Sequence, residues 1–235
     1  MSILSELQSK KLGLLELISL GFYLYIKKNR LFLGFFLISL PYWIIVGVFT
    51  KYLAYNIYNL YYWGFFSIFN IFGYSIYSAT LCILTESCVL QKNIQPQAVV
   101  KWILSHILPL IGLEIRFFIT FFLRYLLLVV PGIIYFINND FYFHAFILRG
   151  QRGKAAFIYS RTLVKGNWWK AFFFTLLTYL ISGGLPIIFY TIFNIPYQNP
   201  SILISVISPA LTQLIFLGFG ICKVLFFLNL EFQKQ

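Results

Sequence analysis

The chain is predicted to be an all-α polytopic membrane protein, six transmembrane helices with interfacial amphipathic helices, on three observations. Hydrophobic residues make up 60% and charged residues only 10% of its 235 positions, too little polar side chain to cover a soluble domain of that size. The 28 Phe, 17 Tyr and 5 Trp suit a chain solvated by lipid, with aromatic belts at both interfaces. The 18 basic residues fall mostly in short stretches between apolar runs. A net charge of +12 distributed in that way is the positive-inside pattern and not a nucleic-acid footprint, so no nucleic acid is expected as a partner.

The apolar runs divide a single integral membrane domain, 1–235, into successive elements. Residues 12–26 are too short to span and carry Glu16 mid-run. Leu14, Leu17, Ile18, Gly21 and Tyr25 recur at helical spacing, which predicts an interfacial helix. Spans follow at 31–50, loosened near Pro41, and at 60–84, where Gly64 and Gly73 are expected close-packing points. A second interfacial helix is predicted at 97–110, broken near Pro109. Ile111–Leu148 would run roughly 57 Å as one helix, nearly twice a bilayer core of about 30 Å, so it must fold back. Pro131-Gly132 is its strong turn signal, giving spans at 111–130 and 132–148. A third interfacial helix at 154–164 precedes spans at 171–190, with Gly183, Gly184 and Pro186, and at 202–228, with Pro209. The pattern reads as a weak threefold repeat of an interfacial helix and a hairpin of spans. The N-terminal segment lacks a cleavage site and is expected to be retained.

Charge sets the expected orientation. With the N-terminus cytoplasmic, Lys10, Lys11, Lys27, Lys28, Arg30, Lys92, Lys101, the basic residues from Arg149 to Lys170 and Lys234 all lie inside, and Lys51 alone outside. Both termini are therefore expected to be cytoplasmic.

Several chemistries are not encoded. Cys82, Cys88 and Cys222 form no CxxC pair, and His106 and His144 stand alone, so no metal, disulfide framework or cofactor is expected. There is no GxSxG, Walker A or HExxH sequence, and the scarce acids lie in different elements, so the chain is expected not to be an enzyme.

Ionisable residues inside apolar runs are costly and default to functional candidates: Glu114, Arg116, Arg124, Asp140 and Lys223. Mirroring the third and fourth spans about Pro131-Gly132 predicts Arg124–Asp140 and Glu114–Arg149 ion pairs across the hairpin. Arg116, Thr120 and Arg124 share one helical stripe, which would line a cleft for an anion such as a lipid phosphate. Lys223 is otherwise expected to snorkel, and His144 to be buried and hydrogen bonded or to join a relay. The loop and short helix after the fourth span add Arg149, Arg152, Lys154, Arg161 and Lys165, a basic surface for anionic headgroups or a protein partner. Two functions follow as expectations: a non-enzymatic membrane module or accessory binding anionic lipid or a partner protein, or a small transporter or permease subunit with an Arg/Asp-lined intramembrane cleft.

The block from Pro131 to Lys170 carries Pro131-Gly132, Gly150 and Gly153, Ser160-Arg161-Thr162-Leu163, Lys165-Gly166 and Trp168-Trp169. In these features it resembles the membrane domain attached to some bacterial glycerophosphoryl diester phosphodiesterases and its stand-alone, uncharacterised relatives. The chain departs from that pattern at Leu148-Arg149, where such relatives often carry an acid. No phosphodiesterase catalytic domain is visible in these 235 residues, so the resemblance implies the membrane fold, in a bacterial inner membrane, and not hydrolysis.

Overall fold

A computed structural model describes residues 3–55, 60–92, 96–192 and 201–234, and no strand occurs among them. The described residues form ten helices: α1 Ile3–Ser9, α2 Leu14–Lys27, α3 Asn29–Tyr55, α4 Leu60–Leu90, α5 Pro96–Leu127, α6 Val129–Asn138, α7 Tyr142–Arg149, α8 Lys154–Val164, α9 Trp168–Ile192 and α10 Ile202–Phe232. The predicted link between the fifth and sixth spans falls largely on 193–200, and that between the first and second partly on 56–59, outside the described residues.

Four helices are long and apolar enough to cross a membrane, over Asn29–Phe49, Phe66–Leu90, Ala98–Leu127 and Ala210–Phe232. Much of their apolar surface faces outward, as expected where lipid replaces water: Leu37, Ile38, Leu108 and Leu127 are more than half exposed. Burial concentrates instead in the last turns of α10, where Leu217, Ile221, Cys222 and Val224 to Leu230 are almost fully enclosed. α2, α3, α4, α8 and α9 all pack on α10, which is the axis of the bundle.

Two of the predicted elements differ. The interfacial helix at 97–110 and the span at 111–130 are one continuous helix, α5, running through Pro109 for about 48 Å. Proline removes a single backbone bond there, while Ile103, Leu110, Leu113 and Phe117 stay buried on either side of it. The turn after α5 falls at Leu128, not at Pro131-Gly132. Pro131 instead occupies the first turn of α6, where a missing N–H costs nothing. Gly132 lets α6 approach α5, since a Cβ there would stand 3.0 Å from Tyr125 Cα.

The second difference is the fourth span, 132–148, which is broken into α6 and α7 around Asn139–Phe141. The Asn139 amide donates to the Tyr135 carbonyl at 2.7 Å, a local bond of the kind that competes with helix continuation. The groups freed by the break are taken up by α8. Ser160 Oγ accepts from Phe141 N at 3.0 Å and donates to the Asn138 carbonyl at 3.1 Å. α8 accordingly buries one face, Ala156, Phe157, Ser160, Leu163 and Val164, while Lys154, Ile158, Arg161 and Thr162 stay exposed. α2 likewise buries Leu17, Leu20, Gly21 and Leu24, so its apolar stripe is covered by protein.

Close packing is set by particular glycines. At Gly21 a Cβ would lie 2.3 Å from Cys222 Sγ and 3.0 Å from Cys222 Cα, so α2 and α10 touch backbone to backbone. At Gly73, an expected close-packing point, it would meet the Tyr42 ring of α3 at 2.1 Å, whereas a Cβ at Gly64 would meet nothing within 4 Å among the described residues. Gly21→Ala is therefore expected to cost about 1–3 kcal/mol and lower the melting temperature in detergent. Gly64→Ala, measured in the same way, is expected to leave it unchanged or slightly higher.

Candidate functional site

The side chains that carry charge into the bundle meet along one seam, where α4 packs on both α7 and α10. Lys223, Phe227 and Glu231 succeed one another every four residues on α10, so they form a stripe about 12 Å long. Each end of the stripe holds an ion cluster.

At the end nearer the C-terminus of α10, Arg149 joins two carboxylates. Its Nε donates to Glu231 Oε1 at 2.5 Å, its Nη2 to Glu231 Oε2, and its Nη1 to Glu86 Oε1 at 2.6 Å. This is a bidentate pair plus a second carboxylate, the arrangement a planar guanidinium serves and an ammonium does not. The Tyr159 hydroxyl donates to Glu231 as well. Burial, followed by that bond, pushes the Tyr159 phenol up to about 12, so it stays a donor. One side chain thus fastens α4, α7 and α10 together, with α8 attached through Tyr159.

At the other end Lys223 Nζ lies 2.8 Å from Asp140 Oδ1, and Thr175 donates to Asp140 Oδ2 at 3.3 Å. The Asp140 side chain is 3% exposed. Between the two clusters His144 is buried and stacks on Phe227 at 5.7 Å and 25°. Its Nδ1 is buried and has no hydrogen-bond partner among the described residues.

Both cross-hairpin pairs expected from the sequence are replaced. Asp140 is held by Lys223 and not by Arg124, and Lys223 does not snorkel. Arg149 is held by Glu86 and Glu231 and not by Glu114. The mirror count assumed a turn at Pro131-Gly132 and an unbroken fourth span. With the turn at Leu128 and a break at Asn139, that register no longer applies. Glu114 is buried on α5 against α4, its two carboxyl oxygens each 3.0 Å from Ser75 Oγ. That hydroxyl also lies 2.6 Å from the Ile71 carbonyl, and no cation among the described residues pairs with Glu114.

Arg116 and Arg124 do not share a cleft with Asp140. They are exposed on α5, with guanidinium carbons 5.7 Å from the Phe157 ring and 4.7 Å from the Tyr135 ring. Arg161 lies 5.9 Å from the same Tyr135 ring and donates through Nε to Asn139 Oδ1 at 3.1 Å. Arg152 Nη2 sits 3.1 Å from His106 Nε2, while Lys154 and Lys165 are exposed. Glu86, Glu231, Tyr159 and Thr175 were not singled out from the sequence. The four-residue spacing of Lys223 and Glu231 about Phe227 was the available signal for the seam, since it places them on one face of α10.

No group of His, Cys, Asp and Glu suited to hold a metal occurs among the described residues. What the seam does chemically is neutralise charge.

Arg149→Ala strands two largely buried carboxylates and is expected to cost about 3–5 kcal/mol in an unfolding titration. Adding Glu86→Gln and Glu231→Gln should recover most of that loss. Glu114→Gln removes no cation's partner, so its melting temperature should stay within the equivalent of about 1 kcal/mol. Compared with known proteins, the chain matches no family model, and no match is found among the curated proteins or the solved structures.

Proposed function

We propose that the chain is a non-enzymatic membrane module of a bacterial inner membrane, with both termini cytoplasmic, whose basic end holds anionic headgroups. In this reading α3, α4, α5 and α10 cross the bilayer, and the α6–α7 pair and α9 complete six passages. Arg149, the last residue of α7, meets the C-terminal turns of α4 and α10, so the chain has returned to that end before α9 leaves it. Lys170 Nζ, at the start of α9, donates to the Leu12 carbonyl at 2.8 Å, and Leu12 N donates to Asn229 Oδ1 at 3.1 Å. The N-terminal segment, the start of α9 and the end of α10 therefore share one end of the bundle. A resemblance of Pro131–Lys170 to the membrane part of the phosphodiesterase-linked proteins fits the same reading, as kinship of the module and not of the enzyme.

The observation that carries the proposal is that five of the chain's six acids, Glu6 in α1 apart, have partners among the described residues. Asp140, Glu86 and Glu231 are paired inside the seam, Glu16 is paired with Lys10 at 2.7 Å, and Glu114 is enclosed with Ser75. Arg152, Lys154, Lys165 and Lys234 are left exposed at the end where the termini meet. Burial, and then Lys165 and Lys11, lower the Lys234 ammonium; burial, and then Lys11, lower that of Lys170. Four lysines from separate segments thus press on one surface, which favours an anionic partner.

The Arg152→Gln/Lys154→Gln/Lys165→Gln variant should show weakened flotation with vesicle patches of phosphatidylglycerol offered to the detergent-solubilised protein. The effect should shrink at high salt, as surface electrostatics requires. A maleimide reporter at a cysteine placed in 194–200 should react from the periplasmic side only. Cytoplasmic labelling would reverse the orientation.

A further inference from the structure

The arginines that sequence reasoning gathered around Asp140 are gathered elsewhere. Arg116 and Arg124 stand two turns apart on one face of α5, and Arg161 reaches the same region from α8. Each guanidinium lies against an aromatic ring that orients it: Arg116 against Phe157, Arg124 and Arg161 against Tyr135. Phe157 and Arg161 are one turn apart on α8, so the two rings and three cations belong to one face of α5, α6 and α8. Among the described residues, the one hydrogen bond these guanidiniums donate runs from Arg161 Nε to Asn139 Oδ1. None of the three forms an ion pair among the described residues, although every carboxylate of the seam is matched.

Arg116 and Arg124 lie within the apolar span Ala98–Leu127. Unpaired arginines inside a membrane span are among the most costly arrangements available to a chain, and they mark ligand pathways. Stacked guanidiniums keep their outer N–H groups free, fixed in direction, and suited to bidentate contacts with phosphate oxygens.

We propose that Arg116, Arg124 and Arg161 form a binding site for the phosphate of an anionic glycerophospholipid, entered from the side of the bundle between α5, α6 and α8. The site rests on the reading of α5 as a membrane helix, but it is separate from the basic end. The lipid's acyl chains would lie along the exposed apolar face of α5, where Ile115, Ile119, Phe122 and Leu123 are all about half exposed. Three cations around one headgroup select an anionic phosphate over the zwitterionic choline headgroup.

Native mass spectrometry of the purified chain tests the assignment, with phosphatidylglycerol, phosphatidylcholine and inorganic phosphate offered in turn. The expected result is retention of phosphatidylglycerol at a defined stoichiometry, with phosphatidylcholine lost at the same collision energy. Retention should fall at least about tenfold in Arg116→Gln/Arg124→Gln/Arg161→Gln. Arg124→Lys should also weaken it, because an ammonium keeps the charge but not the fork. Arg161→Gln alone, on an exposed face of α8, serves if the triple variant does not fold. Unchanged retention in either variant overturns the site. Release of phosphatidylglycerol by millimolar inorganic phosphate, with phosphate retained in its place, overturns the lipid assignment in favour of a free anion. The Arg152→Gln/Lys154→Gln/Lys165→Gln variant should retain lipid here even where its vesicle binding is lost, which separates failure of this site from failure of the basic end.

Discussion

The bundle depends on a single guanidinium. Arg149 is the meeting point of α4, α7 and α10, and its two carboxylate partners come from residues 63 and 82 positions away along the chain. In a structure whose long helices turn much apolar surface outward, the hydrophobic effect does little to choose one helix register over another when lipid is the solvent. A bidentate ion pair does choose, because sliding α10 by one turn would leave Glu231 buried without its counter-charge. The second pair, Asp140 with Lys223, repeats the constraint two turns along the same stripe. Two fixed points on one helix determine its rotation as well as its depth.

The break between α6 and α7 follows from the same requirement. Asp140 can face both Lys223 and Thr175 because the backbone leaves the helical path beside it. The cost of interrupting a helix inside an apolar bundle is offset by Ser160, whose hydroxyl serves both sides of the gap. α8 is thereby drawn inward, carrying Phe157 and Arg161 with it. The aromatic layer of Phe141, Phe226, Phe227 and Phe174 then fills the space around the seam, with ring centroids 5.2–6.0 Å apart.

Helices and their approximate extents were legible because apolar runs and charged interruptions are local features. Leu31–Thr50, the run after Leu60 and the run after Ile202 all lie within long helices, and Gly73 was legible as a contact. Pairing was not. The identity of Asp140's partner depends on where a turn falls, and Pro131-Gly132 is a turn signal that also suits the first turn of a helix. A shift of three residues there, with the break at Asn139, moved every predicted partner. Glu86 and Glu231 carried no local mark, since each is a lone acid near a helix end. The Ser160 contact joins a break and a helix about 20 residues apart, and no periodicity reports it.

The N-terminal segment is fastened by the far end of the chain. Asn229 accepts from Leu12 N and donates to the carbonyls of Leu7 and Lys10, and Gln233 reaches Leu7 and Gln8. These contacts span as many as 226 residues. At synthesis rates of about 5–20 residues per second, α1 must wait roughly 10–45 s after leaving the ribosome before its docking partner exists. During that interval Leu7, Leu12 and Leu17, all fully enclosed in the finished bundle, have no native surface to cover them. Closure of this latch reports that α10 has arrived, so the same step withdraws the apolar residues of α1 and α2 from chaperones and proteases.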